Sequence, residues 1–333
     1  MNTPAQTVPG SPPKLIGSIA TGFNVVASHI GLILLPVAVD FYLWLGPHVR
    51  IDNLLSPMIA DMQQVFQQYY SADMSARMQE VANIWNTQIS SFNLLSLVHT
   101  FPIGIPSLMS SATSTDTPFG GALVMNAVSG LAAFALSCLF LAIGFALGCV
   151  YFNQIARATA EENQPFELKA FFAQSLQALG LTISLILAVM ILIFPVLVVM
   201  AVFAMISASM ADLAMLFMLF VALWILIPMM FTPHSIFSQN KNLVVALGTS
   251  VRLVRSFLPG AGVFLLLAIV ITQGLDLLWT IPPSSSWLTA AGIFGHAFVY
   301  TSMLAASFVY YRGGLHWMQQ VIEHLQNQSS VQA

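Results

Sequence analysis

Two aspartates stand inside apolar runs, Asp40 and Asp276. Burying an ionisable group in such a run costs at least a few kcal/mol, so each is a functional candidate by default. They share a local pattern: a tryptophan follows about one turn later (Trp44, Trp279) and a proline soon after (Pro47, Pro282). Asp212 joins them at the expected outer tip of a helical hairpin. His296, in Gly295-His296-Ala297, is embedded in another apolar run. Asp40, Asp276, Asp212 and His296 form the candidate polar intramembrane site. Carboxylates gathered near one membrane face could bind a cation or exchange a proton. An interfacial aspartate could instead cap a helix or accept a bond from an indole N–H, and a buried histidine is more often a hydrogen-bonded core residue than a catalyst.

Other chemistry-bearing residues form no constellation. His29, His48, His99, His234, His316 and His324 are scattered, and the sequence has no HExxH motif. No metal site and no cofactor is therefore expected. Cys138 and Cys149 lie eleven residues apart in one apolar run, too far to bridge each other, and read as small buried hydrophobes. A rhomboid-type protease would need Gly-x-Ser-Gly in the fourth span, and 213–231 contains no serine. A CAAX-type protease would need an arginine five residues after the first glutamate of a pair, and Glu161-Glu162 has Phe166 there. The expectation is a protein that is not an enzyme.

The elements around these residues follow from composition. Of 333 residues, nine are Lys or Arg and twelve Asp or Glu, which is 6% charged against 58% hydrophobic. An ordinary soluble domain carries about 25% charged residues and could not cover its surface with so few. Net charge is −3, so no basic footprint for nucleic acid exists. The chain reads as an all-α, polytopic integral membrane protein with six transmembrane helices, interfacial amphipathic helices and a helical extracytoplasmic insertion.

The six apolar runs cover 25–45, 121–152, 179–203, 213–231, 261–281 and 287–311. Each could cross about 30 Å of hydrocarbon. Seven basic residues (Lys14, Arg157, Lys169, Lys241, Arg252, Arg255, Arg312) fall on one side and two (Arg50, Arg77) on the other. The excess places both termini in the cytoplasm, in a cell (cytoplasmic) membrane. A reporter after Arg312 should read cytoplasmic and one near Ser71 extracytoplasmic. Trp44, Trp279 and Trp287 are expected in the outer aromatic belt, and Tyr151, Phe152, Tyr310 and Tyr311 in the inner one.

Residues 1–14 are an expected disordered leader, 15–46 an interfacial helix and first span, 47–120 the insertion, 121–311 the remaining bundle, and 312–333 a cytoplasmic tail. Amphipathic stripes precede each odd span: Leu15, Ile19, Phe23, Val26 and Ile30; Leu168, Phe171, Phe172, Leu176 and Leu179; Leu243, Leu247, Val251, Val254 and Leu258. They suggest a unit of interfacial helix plus two-span hairpin, used three times. In the insertion, Leu55, Met58, Met62, Val65, Phe66 and Tyr69 form one stripe, and Met74, Met78, Val81, Trp85, Ile89 and Phe92 a second. Two such helices cannot bury a core alone, so they should pack together and lean on the membrane or bundle. The following run, 94–109, is apolar but broken by Pro102 and Pro106. Phe101, Pro102, Ile103, Ile105 and Pro106 form a candidate hydrophobic cap. Gly144-x-x-x-Gly148, with Gly295, Ser302 and Ala306, should allow close helix approach, and Pro36, Pro195 and Pro228 should kink their spans.

The run Gln174-Ser175-Leu176-Gln177-Ala178-Leu179 ahead of a span, and the opening Phe41-Tyr42-Leu43-Trp44-Leu45-Gly46-Pro47, are similar to uncharacterised six-helix bacterial inner-membrane proteins. The layout resembles the membrane domain attached to some glycerophosphodiester phosphodiesterases. That resemblance transfers no catalytic residue. Two functions remain: a non-enzymatic accessory protein that binds membrane lipid, a membrane-protein partner or a second copy of itself, and a small secondary transporter or channel component using Asp40 and Asp276.

Overall fold

The computed structural model describes residues 12–69, 72–162 and 165–332. Most of the expected leader, position 71 and the side chains of Met74, Arg77 and Met78 fall outside what is described. The chain is mostly helical. Among the described residues, five helices are long and apolar enough to cross a membrane, or up to six candidate spans arise if one bent pair counts as a single span.

That pair comes from the first apolar run. Helix α1 spans Leu15–Ser28 and α2 spans Leu34–Leu45, with a 3-10 turn at Ile30–Ile33 between them. The break falls inside the expected span. At the end of α1, Ser28 Oγ donates to the Asn24 carbonyl, and the His29 ring and backbone N–H both bond the Val25 carbonyl. Polar side chains that bond their own backbone compete with helix continuation in this way. His29 then leaves helical dihedrals, at φ −127° and ψ 55°. Pro36 consequently stands in the first turn of α2, where its missing N–H costs nothing, rather than kinking a long helix.

The insertion contains α3 (Asp52–Tyr69) and α4 (Ala72–Ser91). Four short strands are described in and just after it, β1 (His48–Arg50), β2 (Asp116–Thr117), β3 (Gly120–Gly121) and β4 (Val124–Asn126). β1 pairs parallel with β4 (His48 opposite Val124), and β2 antiparallel with β3. Residues 121–129 thus belong to strands and their exit, and the second span begins only at α5 (Gly130–Ala158).

α6 runs unbroken from Leu168 to Ile206, so the expected interfacial helix before the third span is continuous with the span. Ser207 turns the chain with extended backbone, and its hydroxyl caps α7 (Ala208–Leu226) by accepting the Met210 N–H. A 3-10 turn at Ile227–Met229 leads into α8 (Thr232–Gln239). α9 (Leu243–Ser256) is a separate amphipathic helix before α10 (Leu258–Trp279). A separate amphipathic helix therefore precedes α10, and none precedes α6. α11 continues from Leu288 to Gln332, so the expected tail is helical almost to its end.

The chain divides into two units, and α5, α10 and α11 contribute to both. The first comprises residues up to His29, Phe152–Ile271 and the chain from Ser302 onward. Its core joins Phe231, Leu253, Val254, Phe264, Tyr310 and Tyr311. Tyr310 stacks on Phe264, with ring centroids 4.5 Å apart. Gly22 of α1 sits so close to α11 that a Cβ there would lie 2.5 Å from the Ser302 carbonyl and the Ala306 N–H. Arg312 donates to the Thr159 and Ala156 carbonyls, capping the end of α5. Phe152, Tyr310 and Tyr311 are buried here, and Tyr151 is buried in the second unit. α6 and α7 pack on each other while most of their large apolar side chains stay uncovered.

The second unit comprises Ile30–Tyr151 and Thr272–Thr301. Trp44 is buried, and its indole donates to the Ser284 carbonyl at 2.7 Å. Cys149 is buried, but Cys138 is exposed on α5, against the expectation of two buried thiols.

Candidate functional site

In the second unit, three helical turns bring a polar group together. Asp276 lies near the end of α10, and His296 and Tyr300 lie one turn apart on α11. His296 Nδ1 is 2.7 Å from Asp276 Oδ1, which fixes the ring so that Nδ1–H donates to the carboxylate. Tyr300 Oη donates to the other oxygen, Oδ2, at 3.0 Å, and Gln273 Nε2 donates to Tyr300 Oη at 2.6 Å. The His296 and Tyr300 rings are in contact, tilted by 33° with centroids 4.2 Å apart.

Exposure separates the members. His296 is 3% exposed, while the Asp276 side chain keeps 21%. The outer nitrogen of His296, Nε2, is buried without a hydrogen-bond partner, and so is the indole N–H of Trp279. Trp279 packs its ring on Gly295, where a Cβ would come within 2.7 Å of it. A buried polar atom left unpaired costs about 1–3 kcal/mol, so this cluster retains hydrogen-bonding capacity that the protein itself does not use. An Asp–His pair with one free ring nitrogen can store a proton or meet a polar ligand.

Asp40 has a different role. It is completely buried in α2, where Oδ1 accepts from Ser107 Oγ at 2.5 Å and from the Met109 N–H at 3.0 Å. Oδ2 accepts the Leu108 N–H at 3.0 Å. The carboxylate therefore caps the 3-10 turn Met109–Ser111 across a sequence separation of nearly seventy residues. His296 lies within electrostatic reach of Asp40. Asp40 thus belongs to the neighbourhood of the Asp276 cluster, but its own bonds hold the cap. Asp212 stands exposed near the start of α7, in the other unit, and takes no part in the bonds described for Asp40 and Asp276.

The cap itself is largely structural. Ile103 and Ile105 are fully buried, Pro102 and Pro106 half-buried, and Phe101 projects outward. Gly144 and Gly148, whose spacing suggested a helix–helix contact, receive this loop instead. A Cβ on Gly144 would strike the Val98 backbone, and one on Gly148 would lie 2.9 Å from Gly104 Cα and the Ile103 carbonyl. The His99 ring closes the loop with a 2.5 Å bond to the Ile105 carbonyl.

The insertion presents a second candidate surface. α3 and α4 pack on each other, with Ser75 Oγ donating to the Phe66 carbonyl. Yet Ile59 and Ala82 are the two buried apolar residues of this hairpin among those described. Met58 is 65% exposed and Tyr69 72%, and Met62, Val65, Val81, Ile84 and Trp85 are also uncovered. Part of each expected stripe is thus uncovered, while Leu55, Phe66, Ile89 and Phe92 are half-buried.

Sequence reasoning missed Tyr300, Gln273 and Ser107. The first two were accessible: Gln273 and Asp276 are three apart, and His296 and Tyr300 four apart, so each pair shares a helix face. Ser107 reaches Asp40 only through the tertiary fold. No family model, no curated protein and no solved structure matches the chain.

Proposed function

We propose that the chain is a six-span protein of the cytoplasmic membrane with both termini inside, acting as a non-enzymatic accessory protein that binds a membrane-protein partner or lipid. The bent pair α1–α2 supplies the first span in this reading. The observation that carries it is the uncovered apolar face of α3 and α4. Met58, Met62, Val65, Tyr69 and Trp85 lie in a segment outside the spans, where the hydrocarbon core cannot shelter them. Apolar stripes of this size on a polar hairpin mark an interaction surface. The test is mass spectrometry of what co-purifies in mild detergent. A protein or lipid should be retained at fixed stoichiometry and lost from the double variant Met62→Glu, Val65→Glu. Retention unchanged in that variant would overturn the reading.

A second reading, a small transporter or channel component, is favoured by the Asp276–His296–Tyr300 cluster. Its partly exposed carboxylate and unpartnered His296 Nε2 suit proton or cation exchange. Proton uptake into proteoliposomes that Asp276→Asn abolishes would support it, and uptake equal to empty vesicles would exclude it.

A further inference from the structure

In the first unit, α9 is held by one face. Ala246, Ser250, Leu253 and Val254 are buried, and Ser250 Oγ donates to the Pro228 carbonyl and accepts the Phe231 N–H. The start of the helix is fixed by the Leu243 N–H, which donates to Gln177 Oε1 of α6 at 2.8 Å, and by the Asn242 side chain, which caps the Val245 N–H. Its end is fixed by Phe257, whose ring stacks on Tyr310 and Trp317. The opposite face is open. It carries a groove of about 690 Å³ in which Val244, Leu247, Gly248 and Val251 are followed by Arg252 and Arg255. Val244 is 79% exposed, and a Cβ on Gly248 would meet nothing within 4 Å. Both arginines are exposed, and among the described residues no hydrogen bond, ion pair or ring contact engages either guanidinium. The sequence has no acidic residue between Asp212 and Asp276, so no carboxylate along this stretch competes for them.

The groove is apolar at one end and cationic at the other, with its two arginines three residues apart and therefore neighbours on the helix surface. We propose that α9 binds an anionic phospholipid of the cytoplasmic leaflet, with the phosphodiester on Arg252 and Arg255 and an acyl chain along Val244, Gly248 and Val251. Guanidinium groups meet phosphate oxygens through paired N–H···O bonds, and basic residues on an amphipathic helix draw a protein to anionic lipid. The lining has no carboxylate to hold an ammonium, so a headgroup of net negative charge is preferred over a zwitterionic one. Arg255, in the last turn, also complements the helix dipole, but that effect alone brings no lipid preference. The proposal rests on the membrane reading above, with α9 on the cytoplasmic side, and not on the α3–α4 surface.

The test uses the full chain in nanodiscs of equal phosphatidylglycerol and phosphatidylcholine, followed by native mass spectrometry of the retained lipid. The wild type should keep phosphatidylglycerol in preference. Arg252→Gln and Arg255→Gln should each lower that preference on the order of fivefold, and the double variant should bring the two lipids close to equal retention. Gly248→Glu puts a carboxylate one turn before Arg252, in open space. It should weaken the preference while leaving the thermal melt unchanged. Free glycerophosphate, added at millimolar concentration, carries the headgroup chemistry without acyl chains and should not displace the lipid. Equal retention of both lipids by the wild type, a preference that survives the double arginine variant, or full displacement by glycerophosphate would overturn the proposal. Failure of the chain to incorporate into nanodiscs would instead refute the membrane reading.

Discussion

Removing the Asp40 carboxylate should release the outer cap. The side chain accepts three hydrogen bonds, from Ser107 Oγ and the Leu108 N–H, both buried, and from the half-buried Met109 N–H. Each bond to a charged acceptor contributes about 1.5–3 kcal/mol, together about 5–9 kcal/mol. Relief of several kcal/mol of carboxylate desolvation offsets part of this. Asp40→Ala should therefore cost a net of about 2–4 kcal/mol. Asp40→Asn keeps one acceptor oxygen for Ser107 and Met109, but turns an amide donor toward the Leu108 N–H, and should cost about 1–3 kcal/mol. Denaturant unfolding in detergent, followed by tryptophan fluorescence, gives both values. Limited proteolysis should show faster cutting between 94 and 111 in each variant. A melt and a cleavage rate for Asp40→Ala equal to wild type would refute the capping role.

Further outcomes follow from the same geometry. Gly144→Ala should destabilise by about 1–3 kcal/mol because its Cβ meets the Val98 backbone, and a wild-type unfolding midpoint would refute this contact. His48, in β1, is held below the usual histidine range by burial and by the neighbouring Arg50, against a smaller opposing bond to the Leu43 backbone. The unfolded chain then binds the proton more readily. The His48 contribution is present above about pH 6.5 and lost as pH falls through that value. Stability of the segment around β1 and β4 should fall between pH 7 and pH 5, and His48→Gln should flatten the slope. Arg312→Ala removes the caps on the Thr159 and Ala156 carbonyls and should cost about 1–3 kcal/mol, read from thermal melts.

Length and apolarity made the helices legible, and hydrophobic periodicity located α3, α4 and α9. Periodicity could not show where helices break. The amphipathic run at 168–179 and the one at 243–258 look alike, yet only the second ends in a separate helix, at Phe257. The break at His29 depends on side chains bonding the last carbonyls of α1 rather than on hydropathy. Small-residue spacing at Gly144 and Gly148 signalled close approach correctly, but not that the approaching backbone is a loop. The aspartates were visible as costly residues. Their separate roles were not, because Asp40 is satisfied by Ser107 and its neighbours, far along the chain, while Asp276 is satisfied by His296 and Tyr300. The packing of the tyrosines was not legible either: near the ends of apolar runs, Tyr151 and Tyr310 suit a packed core as well as an interface, and both are buried.

The proposed interaction surface is tested most directly by photo-crosslinking in native membranes. A photoreactive amino acid at Met58, Met62 or Val65 should give a discrete adduct with one protein or one lipid class, while Gln64, on the opposite face of α3, gives none. Equal yields at Met62 and Gln64, or adducts that mirror bulk membrane composition at both, would contradict the account.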